Sequence, residues 1–339
     1  MNPIVRSLLI LAGVAVVCAV LIFMVRPSVQ MSRTFSGLPQ GARAEFDAWA
    51  TSPIGVDAST LNVALPPAEF EEAKKVFFEA WNAQAERISA YQPVINDINA
   101  RNAYLPADSA EFVTGTEEIV VAWEALTAHP AYALEDMNLL VPTSPAAAQT
   151  LPVFQFMRNT LYARGMEALY RNDAEAFTRA VNTLMEMAET PAYPTIFVDA
   201  LRWSFLGRVD QLLSTARGIV SSGAETPERQ KLAEAMGTLK PVVGEKLSAL
   251  KTEMELNQNT LDQLGMIRTL VKNGELKTLP TLNSNSTGLE LFEQVVQKPG
   301  TNQKQNAAST YALTYSSFAE HAREKSSVLK NLEYWVSQP

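Results

Sequence analysis

The stretch RNTLYARGMEALYRNDAEAFTRAVNTLMEMA, Arg158–Ala188, decides the fold class. In its second half Phe177, Val181, Leu184 and Ala188 recur at intervals of 4, 3 and 4, which is the repeat of one helix face. In its first half Leu161 and Ala168 continue a face begun by Phe154 and Met157. Between the halves lies Asn172-Asp173, a turn pair whose side chains can cap the helix that follows. The stretch therefore predicts two helices folded back as a hairpin, Pro152–Tyr170 and Ala174–Ala188.

The same period runs outward in both directions. Toward the C-terminus, Pro194-Thr195 opens a helix through Leu201, Phe205, Val209, Leu212, Ala216 and Ile219, closed by Gly223. Thr226-Pro227-Glu228 is a further helix start. Beyond Pro241, the residues Val243, Leu247, Leu250, Met254, Asn257, Leu261, Leu264, Arg268 and Val271 step by 4 and 3, as in a coiled-coil seam. Such a seam packs either against its own domain or against a partner chain, and the polar Asn257 and Arg268 could fix register or partner number. Residues 273–306 are polar and read as a long loop around a short helix at Leu289–Val296. A last stripe, Tyr311, Tyr315, Phe318, Ala322, Leu329, Leu332 and Val336, should dock back on the body.

Toward the N-terminus, Glu117–Thr127 reads as a helix burying Val120, Trp123 and Leu126. Pro66-Pro67 start an earlier one whose apolar stripe runs from Phe70 through Phe77, Trp81, Ile88 and Tyr91 to Ile98, kinked at Pro93. Residues 26–66 mix Ser, Pro, Gly and Thr and read as a stalk, with a short helix around Ala42–Ala50. No alternating β-branched run competes, so the body, residues 67–339, is expected to be all-α, a helical-hairpin bundle or short solenoid with one long coiled-coil-like helix.

Ahead of the stalk, Ser7–Val25 is a run of 19 residues without a charge, bracketed by Arg6 and Arg26. At about 1.5 Å of rise per residue it reaches the roughly 30 Å hydrocarbon core of a bilayer. It reads as an uncleaved single-pass transmembrane anchor behind a tail of residues 1–6, because no A-x-A-like cleavage site follows. The body is expected on the extracytoplasmic (periplasmic) side of the inner membrane, since large trailing domains are translocated largely regardless of charge. The single cysteine, Cys18, lies inside the anchor, which leaves no intramolecular disulfide.

A formal charge of -8 over 339 residues gives no electrostatic footprint for nucleic acid. No GxGxxG, GxxxxGK[ST] or G-x-S-x-G occurs. His129 precedes Pro130 at a helix end, where a cation suits the dipole. His321 and Glu324 share a helix face as an ion pair, two ligands at most where a metal site needs three or more. No cofactor, metal or catalytic set is therefore expected.

Arg158–Ala188 resembles a tetratricopeptide-type helix pair in its small residues, its Asn-Asp turn and its Ala176 and Ala180 at close-packing positions. With PTIFVDAL, Pro194–Leu201, the region is also similar to uncharacterised bacterial proteins with one N-terminal anchor and a helical body. The likeness implies a helical hairpin, and a groove in which Tyr162, Tyr170, Tyr193 and Trp203 hold a peptide. The expected function is a membrane-anchored scaffold or binding module that recruits a protein partner, or self-associates, through that groove or through the seam at Leu250, Asn257, Leu261 and Arg268. The alternative is a structural subunit of an envelope secretion or pilus-type assembly, and an enzyme stands third.

Overall fold

The computed structural model describes residues 42–54, 67–94, 97, 109–132, 145–188, 195–222, 226–254, 263–268, 285–295, 307–308, 310–311 and 325–338. They are overwhelmingly helical, and no strand occurs among them beyond one isolated bridge. None of their helices is long and apolar enough to cross a membrane. The expected anchor, Ser7–Val25, lies outside the described residues, as does the start of the expected stalk.

The chain divides into two compact units. The first lies within Met1–Val56 and Leu282–Ala319 and is built on α1 (Ala42–Thr51) and α10 (Gly288–Val295). Trp49 of α1 is 1% exposed and stacks on Tyr311, centroids 3.6 Å apart, with Phe292 set edge-on to both. Thr287-Gly288-Leu289-Glu290 closes a capping box: the Glu290 N–H donates to Thr287 Oγ1 at 3.3 Å, and the Thr287 N–H donates to the Glu290 carboxylate at 2.9 Å. Tyr311 thus belongs with Trp49, and not to one stripe with Leu332 as its spacing had predicted. Periodicity records which residues share a helix face and is blind to which unit that face joins.

The second unit holds the remaining helices: α2 (Ala68–Ala83), α3 (Ala85–Ala90), α4 (Ser109–Gly115), α5 (Glu117–Thr127), α6 (Pro145–Arg171), α7 (Ala174–Met187), α8 (Ile196–Ser221), α9 (Pro227–Met254), a helical stretch over 263–268, and α11, residues 325–337. Its centre is aromatic. Trp123 of α5, fully enclosed, meets Phe77 at 4.9 Å and Phe154 at 5.2 Å, both edge-on, and Phe154 continues to Phe205 at 5.9 Å. Edge-to-face contacts of this kind add about 0.5–1.5 kcal/mol per pair beyond the area they bury.

The hairpin α6–α7 forms where the sequence placed it. Asn172 takes the left-handed conformation, φ 58°, that ends α6, and Asp173 accepts from the Ala176 N–H at 3.0 Å to start α7. Phe177, Val181 and Leu184 are each fully buried. Gly165 lets α6 approach α8: a Cβ there would lie 2.8 Å from both methyls of Leu212.

Two helices run past prolines: Pro152, which the sequence reading treated as a start, and Pro241, beyond which it placed the seam. Helix α6 begins at Pro145 and carries Pro152 inside it, and α9 runs unbroken across Pro241. An interior proline costs about 3 kcal/mol. Along α9 that cost is offset by one continuous buried stripe, Leu232, Met236, Leu239, Val243, Leu247 and Leu250, on both sides of Pro241. The residue four before Pro241, where its ring presses, is Gly237. Conversely, the N-terminal stripe breaks at Gln84, between α2 and α3, ahead of the expected kink at Pro93.

Candidate functional site

Along the outer side of α7 every third or fourth residue is polar: Glu175, Arg179, Asn182 and Glu186. At 100° per residue these four fall within one narrow stripe, opposite the buried Phe177, Val181 and Leu184. Two clefts open along that stripe. One, of about 530 Å³, has Leu161, Ala168, Ala176 and Ala180 among its lining and is rimmed by Arg164, Arg171 and Glu175. The other, of about 620 Å³, lies over Asn182, Thr183 and Glu186 and reaches Ala235 and Thr238 of α9. Both share Glu124, Glu175 and Arg179.

The charges in these clefts are unevenly matched. Arg179 spans Glu124 and Glu117, the latter at 3.3 Å, and Arg164 pairs with Glu117 and donates to the Val113 carbonyl at 3.1 Å. Arg171 pairs with Glu167. The contacts of Arg164 and Arg179 tie α5 to α6 and α7, and the Arg171 pair lies within α6, so each of the three arginines has a carboxylate partner. Burial pushes the Arg164 guanidinium down to about 10, and the neighbouring Arg179 adds to the shift. Asp173 is spent on the cap of α7. Glu175 is exposed and has no ion-pair partner among the described residues. Glu186 is half-buried; burial raises its carboxyl above the usual range against the pull of Lys246. The Asn182 amide oxygen is enclosed without a donor among the described residues.

The aromatic residues expected to form a groove are placed differently from one another. Tyr162 is 3% exposed with the Arg208 guanidinium 4.5 Å over its ring, and Trp203 is 4% exposed with the Lys325 ammonium 5.3 Å from its ring. Tyr170 is 70% exposed, beside the first cleft at the end of α6, and Tyr193 lies outside the described residues. Leu250 is buried at the end of the α9 stripe, Arg268 is half-buried, and Asn257 and Leu261 lie outside the described residues. His129, read as a capping cation, accepts from the Ala131 N–H through Nδ1 at 3.1 Å. His321 lies outside the described residues. Among the described residues no group of three or more His, Cys, Asp or Glu side chains is placed to hold a metal ion.

A second polar cluster is closed rather than open. Asp199 of α8 accepts from Arg202, from the Trp203 indole N–H at 3.0 Å and from Lys325 of α11 at 2.9 Å. Burial alone would raise its carboxyl, but Arg202 and Lys325 outweigh that and hold it below the usual carboxylate range. Further along α11, Asn331 donates to Asp210 at 2.9 Å and the Lys240 ammonium to the Gln338 carbonyl at 2.9 Å. Leu332, fully buried, and Trp335, 5% exposed, complete the seat.

The polar stripe of α7 is the candidate site that the sequence reading passed over. Its signal was present in the three spacings, 4, 3 and 4, that join those four residues, but a polar outer face is what any surface helix carries. Only the clefts on either side single it out. No family model, curated protein or solved structure matches the chain.

Proposed function

We propose that this protein is a membrane-anchored helical binding module, held by Ser7–Val25 with its body on the extracytoplasmic side, that docks a protein partner on the outer side of α7. The single observation supporting this reading is the pair of clefts that share Glu124, Glu175 and Arg179 and together follow the length of that helix. An extended or helical segment has the dimensions for such a groove, and the small residues Ala168, Ala176 and Ala180 leave room for its side chains. The seam of α9 carries less weight as a docking surface, because Leu239, Val243 and Leu247 are already buried.

The test is crosslinking of the full-length protein in its native membrane, followed by capture and mass spectrometry. A stoichiometric partner is expected for the wild type and lost for Ala176→Arg, which fills the first cleft from a half-buried position. Recovery of the protein alone, or of the same partner by the variant, contradicts the reading. Protease protection of spheroplasts checks the orientation: the body is digested from outside if the assignment holds.

A further inference from the structure

The partner's chemistry follows from the charges of the same groove, and this inference rests on the docking reading above. Six carboxylates lie in or beside the two clefts, Glu117, Glu124, Glu167, Asp173, Glu175 and Glu186, against Arg164, Arg171, Arg179 and the Lys246 ammonium that attracts Glu186. Each arginine already sits on a carboxylate of its own unit, so an acidic ligand would have to compete with Glu117, Glu124 and Glu167 for them. What remains for a ligand is acceptor chemistry: the exposed Glu175 carboxylate, and the half-buried Glu186 carboxylate, whose burial is only partly offset by the Thr127 hydroxyl and the Lys246 ammonium. We propose that the groove along α7 receives a lysine-bearing segment of the partner protein, whose ammonium groups meet Glu175 and Glu186.

The geometry narrows the pattern. Glu175 and Glu186 are 11 positions apart and nearly in line on α7, which at about 1.5 Å per residue separates them by roughly 16 Å. An extended segment covers that distance in about five residues at 3.3 Å each, and because its side chains alternate between faces, two cations on one face lie four or six positions apart. In a helical segment they would lie about eleven apart, again on one face. Anionic lipid or an acidic peptide would meet the same surplus of carboxylates as repulsion. Opposite charge across an interface of this kind sets partner choice and association rate more than it sets affinity.

Two measurements decide it. The first is fluorescence anisotropy of the full chain in detergent with a labelled peptide of alternating lysine and alanine, beside its glutamate counterpart. The lysine peptide should bind, weaken about tenfold in the double variant Glu175→Lys, Glu186→Gln, and change less than about twofold in Glu72→Lys, Glu228→Gln, which alters net charge identically at exposed sites elsewhere. Equal weakening in both variants, or equal binding of the glutamate peptide, overturns the proposal. The second is carbodiimide coupling in the native membrane, which joins a carboxylate to a lysine amine in contact with it. A partner lysine coupled to Glu175 or Glu186 is the expected product. A partner captured without coupling at either residue overturns the basic-segment proposal and leaves the docking reading standing. If no partner is captured by any chemistry, both fall.

Discussion

Two groups of carboxylates on neighbouring helices meet opposite fates. Asp199 on α8 is enclosed and meets three donors, and its charge fastens α11 to the unit. Glu175 and Glu186 on α7 stand over clefts, one without an ion-pair partner among the described residues and the other held above its usual range by burial. Acidic residues are equally frequent in both places, so composition does not tell them apart. The difference is whether the donors are supplied from within. A carboxylate whose donors outweigh its burial serves the fold, and one beside a cleft that is exposed, or whose burial outweighs its donors, is available to a ligand.

The largest effect should come from breaking the closed cluster. Asp199→Ala removes the carboxylate shared by the buried Arg202, Trp203 and the half-buried Lys325, which costs about 3–5 kcal/mol. Hydrogen exchange over residues 325–337 should rise to near the unprotected rate while α6 and α7 stay protected. If α11 remains protected, the polar cluster does not hold it.

Acid should act in the same place. A carboxyl depressed in the folded state contributes stability that is fully present above its unfolded pKa of about 3.9 and lost as pH falls through the folded value. The exchange protection of α11 should therefore collapse below about pH 4. Glu186 has the opposite sign: its raised carboxyl disfavours the fold as pH rises through the usual carboxylate range and on through the raised value.

Asp173 sharpens the contrast because it lines the first cleft and yet is spent on a helix cap. Asp173→Ala should cost about 1 kcal/mol of stability, read by urea denaturation, without the loss of lysine-peptide binding caused by Glu175→Lys, Glu186→Gln. Glu186→Gln removes a half-buried charge and should stabilise the unit by under about 1 kcal/mol at neutral pH, with no gain below about pH 4. Glu175→Lys reverses a charge in the first turn of α7 and should cost no more than about 1 kcal/mol of stability while weakening partner capture. A stability loss well beyond that would make Glu175 a structural residue and blur the comparison.

How far the sequence reached follows the same division. Faces defined by apolar spacing were legible: Phe177, Val181 and Leu184 are buried as their period required, and Asp173 caps α7 as its position required. Helix continuity was not legible where two terms oppose each other. Pro241 argues locally for a break, but the buried stripe from Leu232 to Leu250 crosses it, and a scan for local breakers does not weigh one against the other. Aromatic residues were also ambiguous, since Tyr162 and Trp203 have the residue types of a peptide groove and are enclosed under cations instead. The groove itself depends on which helices flank α7, information that no local pattern carries.

The account is tested most directly by carboxyl footprinting of the full chain, with carbodiimide and glycine ethyl ester as the label and mass spectrometry as the readout. Glu175 should label rapidly in the purified protein, Glu186 more slowly and Asp199 scarcely at all; in the native membrane Glu175 and Glu186 should become protected. Labelling of Asp199 as fast as Glu175, or no protection of Glu175 and Glu186 in the membrane, would contradict it.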